Sequence, residues 1–230
     1  MNGAPQQPDI EVLEALLSRR HSCRAFQQAE VQRKVIERIL RAAQRTPSDC
    51  NIQPWHIFLV SGMALERLRD ALYEPAASGA PPSSDLAPIE RYSGVYQERR
   101  RACGWSLYSA LGIQRGDRVA SHQQMLENFR FFGAPHLALI TTPASLGTRA
   151  VLDCGGYVTS FLLAAQALGV AAVPQASIAY RVDVIREQLV IPAEQWVICG
   201  ISFGWSDESH AANSYRTTRA SLDEVVEFRS

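Results

Sequence analysis

The chain has 230 residues, 47% of them hydrophobic, and its 23 basic side chains balance 23 acidic ones. That length and apolar content suit one large domain with a full core. The neutral balance supplies no overall field for nucleic acid or an anionic membrane, and no run approaches the roughly 18 to 20 apolar residues that cross a bilayer.

In chain order, Ile10, Leu13, Leu16 and Leu17 predict an amphipathic helix over 9–20, and Val31, Val35, Ile36, Ile39, Leu40 and Ala43 predict a second. Thr46-Pro47 stops it, and 56–61 reads as a short buried strand closed by Gly62. Residues 64–73 follow a helical pattern, whereas 74–90, rich in Pro, Ala, Ser and Gly, reads as an exposed variable loop and a candidate lid. Helices are expected over 92–111 and 117–132, then a strand over 137–142. The nearly uncharged stretch 152–168, with Gly155-Gly156 and many alanines, predicts a helix buried in the core or across a subunit interface. A strand over 170–173, a helix over 182–189 and an apolar strand over 197–203, ended by Gly204, complete an interleaved order. Ser221 and Glu224 have capping-box spacing for a short terminal helix.

The polar start, Met1–Asp9, lacks a signal peptide's apolar segment, so a cytoplasmic location is expected, with residues 1–8 disordered. Five cysteines, Cys23, Cys50, Cys103, Cys154 and Cys199, are odd in number and contain no C-x-x-C pair, which predicts free thiols and no metal site. Cys23 has cationic neighbours that would lower its pKa, but no positioned base marks it or Cys50 as a nucleophile. No internal repeat and no G-x-G-x-x-G turn appears, so neither a Rossmann unit nor a P-loop is supported.

Two clusters carry the functional signal. Arg19-Arg20-His21-Ser22-Cys23-Arg24 gathers guanidinium, imidazole and hydroxyl donors suited to a phosphate. Pro47-Ser48-Asp49-Cys50-Asn51-Ile52-Gln53-Pro54-Trp55 sets polar groups on a stiff loop between prolines, the kind of loop that holds ligands.

The run Arg20-His21-Ser22-x-Arg24-x-Phe26, followed by Pro47-Ser48-x-x-Asn51-x-Gln53-Pro54-Trp55, resembles the FMN-dependent nitroreductase family. The resemblance continues through Asn128-Phe129-Arg130-Phe131-Phe132-Gly133-Ala134-Pro135, Val173-Pro174-Gln175-Ala176-Ser177 and Arg216-Thr217-Thr218-Arg219, so it spans nearly the whole chain in order. It implies an α+β fold, a central mixed sheet surrounded by helices, in an intertwined homodimer with FMN at the interface.

Carried over by position, the resemblance assigns Arg20, His21, Ser22 and Arg24 to the FMN phosphate and ribityl chain, with Arg216 and Arg219 closing on the phosphate. Arg19 reads as a solvated charge. Pro47, Ser48, Cys50 and Asn51, with Gln53 nearby, would reach the flavin bound mainly by the partner chain; the alternative for Asn51 and Gln53 is capping of their own loop. Pro174, Gln175, Ala176 and Ser177 would form the turn facing flavin N5, with Ala176 or Ser177 donating its backbone N–H. Asn128 would approach the flavin pyrimidine, and Arg130 is a weaker candidate there. Trp105, Tyr108 and Phe131 are either acceptor-pocket walls or core, with core favoured.

The implied reaction is ping-pong hydride transfer from NADH or NADPH through FMN to a small aromatic acceptor, a nitroaromatic or a quinone. No catalytic side chain is required. Two alternatives stay open at this point: reductive dehalogenation or alkene reduction on the same fold, and flavin storage without turnover.

Overall fold

The computed structural model describes residues 7–229. The disorder expected over 1–8 lies mostly outside them, and the first helix already begins at Gln7. Among the described residues there are seven α-helices: α1 (Gln7–Arg19), α2 (Arg33–Ala43), α3 (Gly62–Ala77), α4 (Gly94–Ala110), α5 (Arg118–Leu126), α6 (Gly147–Ala167) and α7 (Val182–Leu189). Four strands, β1 (His56–Ser61), β2 (His136–Pro143), β3 (Ala171–Gln175) and β4 (Gln195–Gly204), form one sheet in the order β1-β2-β4-β3. All three strand pairs are antiparallel. The sheet of four strands is thus antiparallel where a mixed one is expected; the one parallel pairing at its edge is an isolated bridge between Ser22, after α1, and Ala172 of β3.

Side chains alternate across β2, and each face of the sheet is covered. Leu137 and Leu139 join a core with Leu65, Leu68 and Leu72 of α3 and Ile185 of α7. Ala138 and Ile140 point the other way, into a core with Ile36 and Ile39 of α2 and Cys154, Tyr157 and Phe161 of α6. Burial on both faces explains why β2 reads as a continuous apolar run rather than an alternating one.

α6 is buried on one face only. Cys154, Tyr157, Phe161 and Ala165 are inside, while Leu152 is 78% exposed and Gly155, Gly156 and Thr159 also face outward. By length and composition α6 can cross a membrane, which corrects the expectation that no segment approaches that limit. Its inner face is instead part of the core around β2 and β4. At Gly156 an added Cβ would sit 3.1 Å from Cγ2 of Thr46, just past α2, so the threonine methyl would have to give by a few tenths of an ångström.

Four other expectations change. α5 ends at Leu126 rather than at 132, because Phe131 and Phe132 adopt φ of 56° and 52°, a left-handed conformation that no helix continues. α4 has no buried residue, so Trp105 and Tyr108 are not core; they pack edge to face at 5.8 Å on an open helix. The capping box at Ser221 and Glu224 is present, but it starts only a 3-10 turn, Leu222–Glu224.

The fourth change concerns the expected lid over 74–90. Residues 74–77 belong to α3, and the chain beyond is pinned as a strap. Arg181 donates to the carbonyls of Pro81 (2.7 Å) and Pro75 (3.3 Å), and the Ser83 N–H donates to Tyr180 O (3.0 Å). Asp85, mostly buried, accepts from Nη2 of Arg186 (2.8 Å) and from the Val197 N–H (2.8 Å). These bonds fasten the strap to α7, β4 and the 3-10 turn Ala176–Tyr180.

Candidate functional site

Helix α1 ends at Arg19, and the chain then runs along the sheet edge as an extended segment. Cys23 N–H donates to Ala172 O (3.2 Å) and Gln27 N–H to Trp205 O (2.9 Å), so the segment is held at both ends. Asn213, 6% exposed, ties the C-terminal tail to it. Its Oδ1 accepts from Arg24 N–H at 2.7 Å, and its Nδ2 donates to Ala25 O (2.9 Å) and Asp207 O (2.8 Å).

The result is a cleft of about 330 Å³ lined by Arg20, His21, Ser22, Arg24, Arg216 and Arg219, together with Leu17, Ser18, Cys103, Tyr215 and Thr217. Residues from the two ends of the chain, expected to act together, therefore do meet. Four guanidinium groups converge with no carboxylate in the lining, and no ion pair among the described residues involves any of the four. Nη1 of Arg24 donates to Tyr215 Oη (2.8 Å) and Ser22 O (3.3 Å), and Nη1 of Arg216 to the carbonyls of Asn213 and Tyr215 (both 2.8 Å). Burial and like charge act together on the titrating groups. Burial and then Arg219 lower the pKa of Arg20. Burial lowers that of His21, opposed by the bond to Arg19 O, with Arg216, Arg20 and Arg24 pushing it further down.

His21 and Arg216 also line a second cavity of about 360 Å³, with Gln166, Gly169, Ser206, Glu208 and Asn213. The His21 Nε2 atom is buried and has no hydrogen-bond partner. Four cations without a counter-ion are the arrangement an anion would complete, and the ring nitrogen beside them is left without a partner. A phosphate ester fits it, by charge and by donor type.

Arg19 is exposed, as expected, and donates to Ala15 O. Cys23 is buried, and burial raises its thiol pKa, so the cationic neighbours do not make it a nucleophile.

Asn128 and the turn after β3 form a second group. Gln175 Nε2 donates to Asn128 O (2.8 Å), Ser177 Oγ to Asn128 Oδ1 (3.0 Å), and Ser202 Oγ to Gln175 Oε1. Gln175 is buried, Pro174 and Ser177 are half-buried, and Ala176 is exposed. The left-handed pair Phe131 and Phe132 turns the chain so that Asn128 meets this network. Arg130 does not join it. Its guanidinium lies 4.2 Å from the Tyr73 ring centroid and 3.6 Å from Glu127.

The proline-flanked loop lies elsewhere. Cys50, Asn51 and Gln53 all have positive φ (46°, 57° and 48°), at a cost of about 1 kcal/mol or more each. Ser48 Oγ accepts from Gln53 N–H (2.9 Å), Gln53 Nε2 donates to Asn51 O (3.0 Å), and Gln44 bridges Gln53 and the Trp55 indole. Much of the loop's polar capacity thus caps the loop itself, yet Pro47, Cys50, Asn51, Ile52 and Gln53 stay exposed. The loop rests on the N-terminal half of α6 through Asp49 N–H and Asp153 (3.2 Å). The second cavity sits at the C-terminal end of α6, beside Gln166. Along the helix these points are roughly 20 Å apart, so the loop and the second cavity lie toward opposite ends of α6.

Sequence reasoning missed Asn213, Tyr215 and Cys103. Asn213 and Tyr215 adjoin Arg216 but fall in no motif, and Cys103 arrives on α4 from a helix with no site signal.

Comparison with known proteins accords with this geometry. The Nitroreductase family model matches residues 17–205. Nitroreductase NfnB of Mycolicibacterium smegmatis is 35% identical over 227 residues, covering 97% of each chain. A 4-nitrobenzoate reductase of Nocardioides sp. is 32% identical over 96% of this chain and 91% of its own length. The crystal structure of the FMN-dependent nitroreductase NfnB from Mycobacterium smegmatis in complex with NADPH superposes with a TM-score of 0.91 at 36% identity, covering 96% of this chain and 99% of that one.

Proposed function

The chain belongs to the nitroreductase family, and on that premise we propose that it is an FMN-dependent oxidoreductase reducing nitroaromatic compounds with NADPH or NADH. The observation that carries this reading is the cleft in which Arg20, His21, Ser22, Arg24, Arg216 and Arg219 converge without a counter-ion. When bound, FMN supplies the two-electron chemistry, accepting hydride from the nicotinamide and delivering it to the acceptor in turn.

The chain's own residues then bind and orient. Arg20, Arg24, Arg216 and Arg219 hold the phosphate, each charge-assisted bond contributing about 1.5 to 3 kcal/mol. Ser22 and His21 add donors to the phosphate and ribityl chain. Pro174, Gln175, Ala176 and Ser177 back the flavin near N5, where a backbone N–H of Ala176 or Ser177 positions the ring. Asn128 fixes that turn and offers its amide toward the pyrimidine.

The active unit in this reading is a homodimer. The open face of α6 around Leu152 and the exposed α1 side chains Ile10, Val12, Leu13 and Leu17 supply apolar area for it. The loop bearing Pro47, Ser48, Cys50, Asn51 and Gln53 then reaches the partner's flavin. All five cysteines are free thiols, which suits the cytoplasm.

The test is an absorbance spectrum. The purified protein is expected to be yellow with an FMN spectrum, to bleach anaerobically with NADPH, and to recover colour on addition of 4-nitrobenzoate. A colourless protein that binds no added FMN would overturn the reading. A flavoprotein reoxidised by a halogenated phenol and not by nitrobenzoate would move it to dehalogenation.

A further inference from the structure

The His21 imidazole is held in one tautomer. Its Nδ1 lies 3.3 Å from Arg19 O, a carbonyl that can only accept, so Nδ1 carries the hydrogen and the neutral ring leaves a bare lone pair on Nε2. That atom is buried and unpartnered. A phosphate oxygen brought against it would meet lone pair with lone pair.

The groups around it explain why Nε2 is bare without a ligand. Arg19, Arg20 and Arg24 lie on its own segment, and Arg216 and Arg219 come from the tail. Cys103 arrives from α4, and Tyr215 precedes the tail arginines. Among the described residues, the one carboxylate in either cavity lining is that of Glu208, in the second cavity. Adding a fifth positive charge to the four guanidinium groups of the cleft is unfavourable. A phosphate dianion reverses that balance, since it neutralises the arginines and offers an acceptor to an N–H.

We infer that cofactor binding loads a proton onto His21: entry of the FMN phosphate draws one proton from solvent to Nε2, which then donates to a phosphate oxygen. The inference rests on the reading of this cleft as the phosphate end of the FMN site. No covalent bond changes, and the proton comes from the buffer. Affinity for FMN therefore depends on pH through a residue of the site itself, with imidazole protonation favouring the bound state.

The experiment is calorimetric titration of FMN into apoprotein near pH 7 in phosphate-free buffers of different ionisation enthalpy, which counts protons exchanged. Wild type is expected to take up as much as about one proton per FMN. His21→Gln keeps an amide donor but cannot titrate, and is expected to take up none, with a slight release from the phosphate itself, whose second pKa is about 6. Riboflavin, which lacks the phosphate, should draw no proton in either protein. Equal proton exchange in wild type and His21→Gln would overturn the inference while leaving the FMN reading intact. Failure of wild type to bind FMN at all would overturn both. Should the variant not fold, nitrogen NMR of wild type decides: FMN must convert His21 Nε2 from an unprotonated to a protonated resonance at constant pH, and an unmoved resonance rejects the inference.

Discussion

The carboxamide of Gln175 donates to the backbone carbonyl of Asn128 at 2.8 Å, joining the end of β3 to the turn after α5. Through this bond the two segments assigned to the flavin ring are held by one buried side chain. Gln175→Ala strands the Asn128 carbonyl and the Ser202 hydroxyl, at a cost of about 1 to 3 kcal/mol. FMN content should persist, because the phosphate donors are untouched. Reduction of the bound flavin by NADPH, followed by stopped-flow absorbance, should slow by roughly 10- to 100-fold, the scale of a small misplacement at a reacting centre.

Adjacent residues Arg24 and Cys23 should separate cleanly. Arg24 lines the cleft, whereas Cys23 is buried beneath it, with its thiol directed at Ala25 O. Arg24→Ala should weaken FMN binding by about 10- to 150-fold, the equivalent of one charge-assisted bond. Cys23→Ala should leave it unchanged. Flavin fluorescence quenching on titration measures both.

Leu152 tests the dimer. It is 78% exposed at the centre of the open α6 face. Leu152→Arg adds a charge to each side of a self-complementary contact without touching the core. Sedimentation should show a monomer, and the monomer should lose FMN although its own cleft is intact. A variant that stays dimeric and yellow would remove α6 from the interface.

His136 gives a pH dependence of stability. Burial holds its imidazole below the ordinary 6.5, against the pull of Glu30, and Nε2 accepts the Val31 N–H at 2.9 Å. As pH falls the unfolded chain takes up the proton first. The stabilisation is therefore complete above about pH 6.5 and is lost progressively below it. Wild-type Tm should fall between about pH 7 and pH 5 more steeply than that of His136→Gln, whose amide oxygen still accepts from Val31 without titrating. Calorimetric scans of the two proteins measure the difference.

The sequence was legible where periodicity and burial agree. The spacing of Ile36, Ile39 and Ala43 gives α2, and the apolar run of β2 gives a strand covered on both faces. The arginine cluster of the cleft was legible because its donors are charged and crowded. Local pattern failed where distant partners decide. Helical spacing carries past Leu126, but the left-handed Phe131 and Phe132 are fixed by packing, both being buried. The strap over 78–85 reads as loose composition, yet its order comes from Arg181, Arg186 and Val197, about a hundred residues away. Asn213 carries no motif and still ties the two ends of the chain together.

Helix α6 acts as a spacer, with the Asp49 loop toward one end and the cavity shared by His21 and Arg216 at the other. In the proposed dimer each active site is consequently a composite, its cleft encoded by one copy of the chain and its loop by the other. Two different inactive proteins, one damaged only in the cleft and one only in the loop, should then rescue each other when unfolded together and reassembled. Each mixed dimer regains one whole site, so activity appears in a mixture of two dead enzymes.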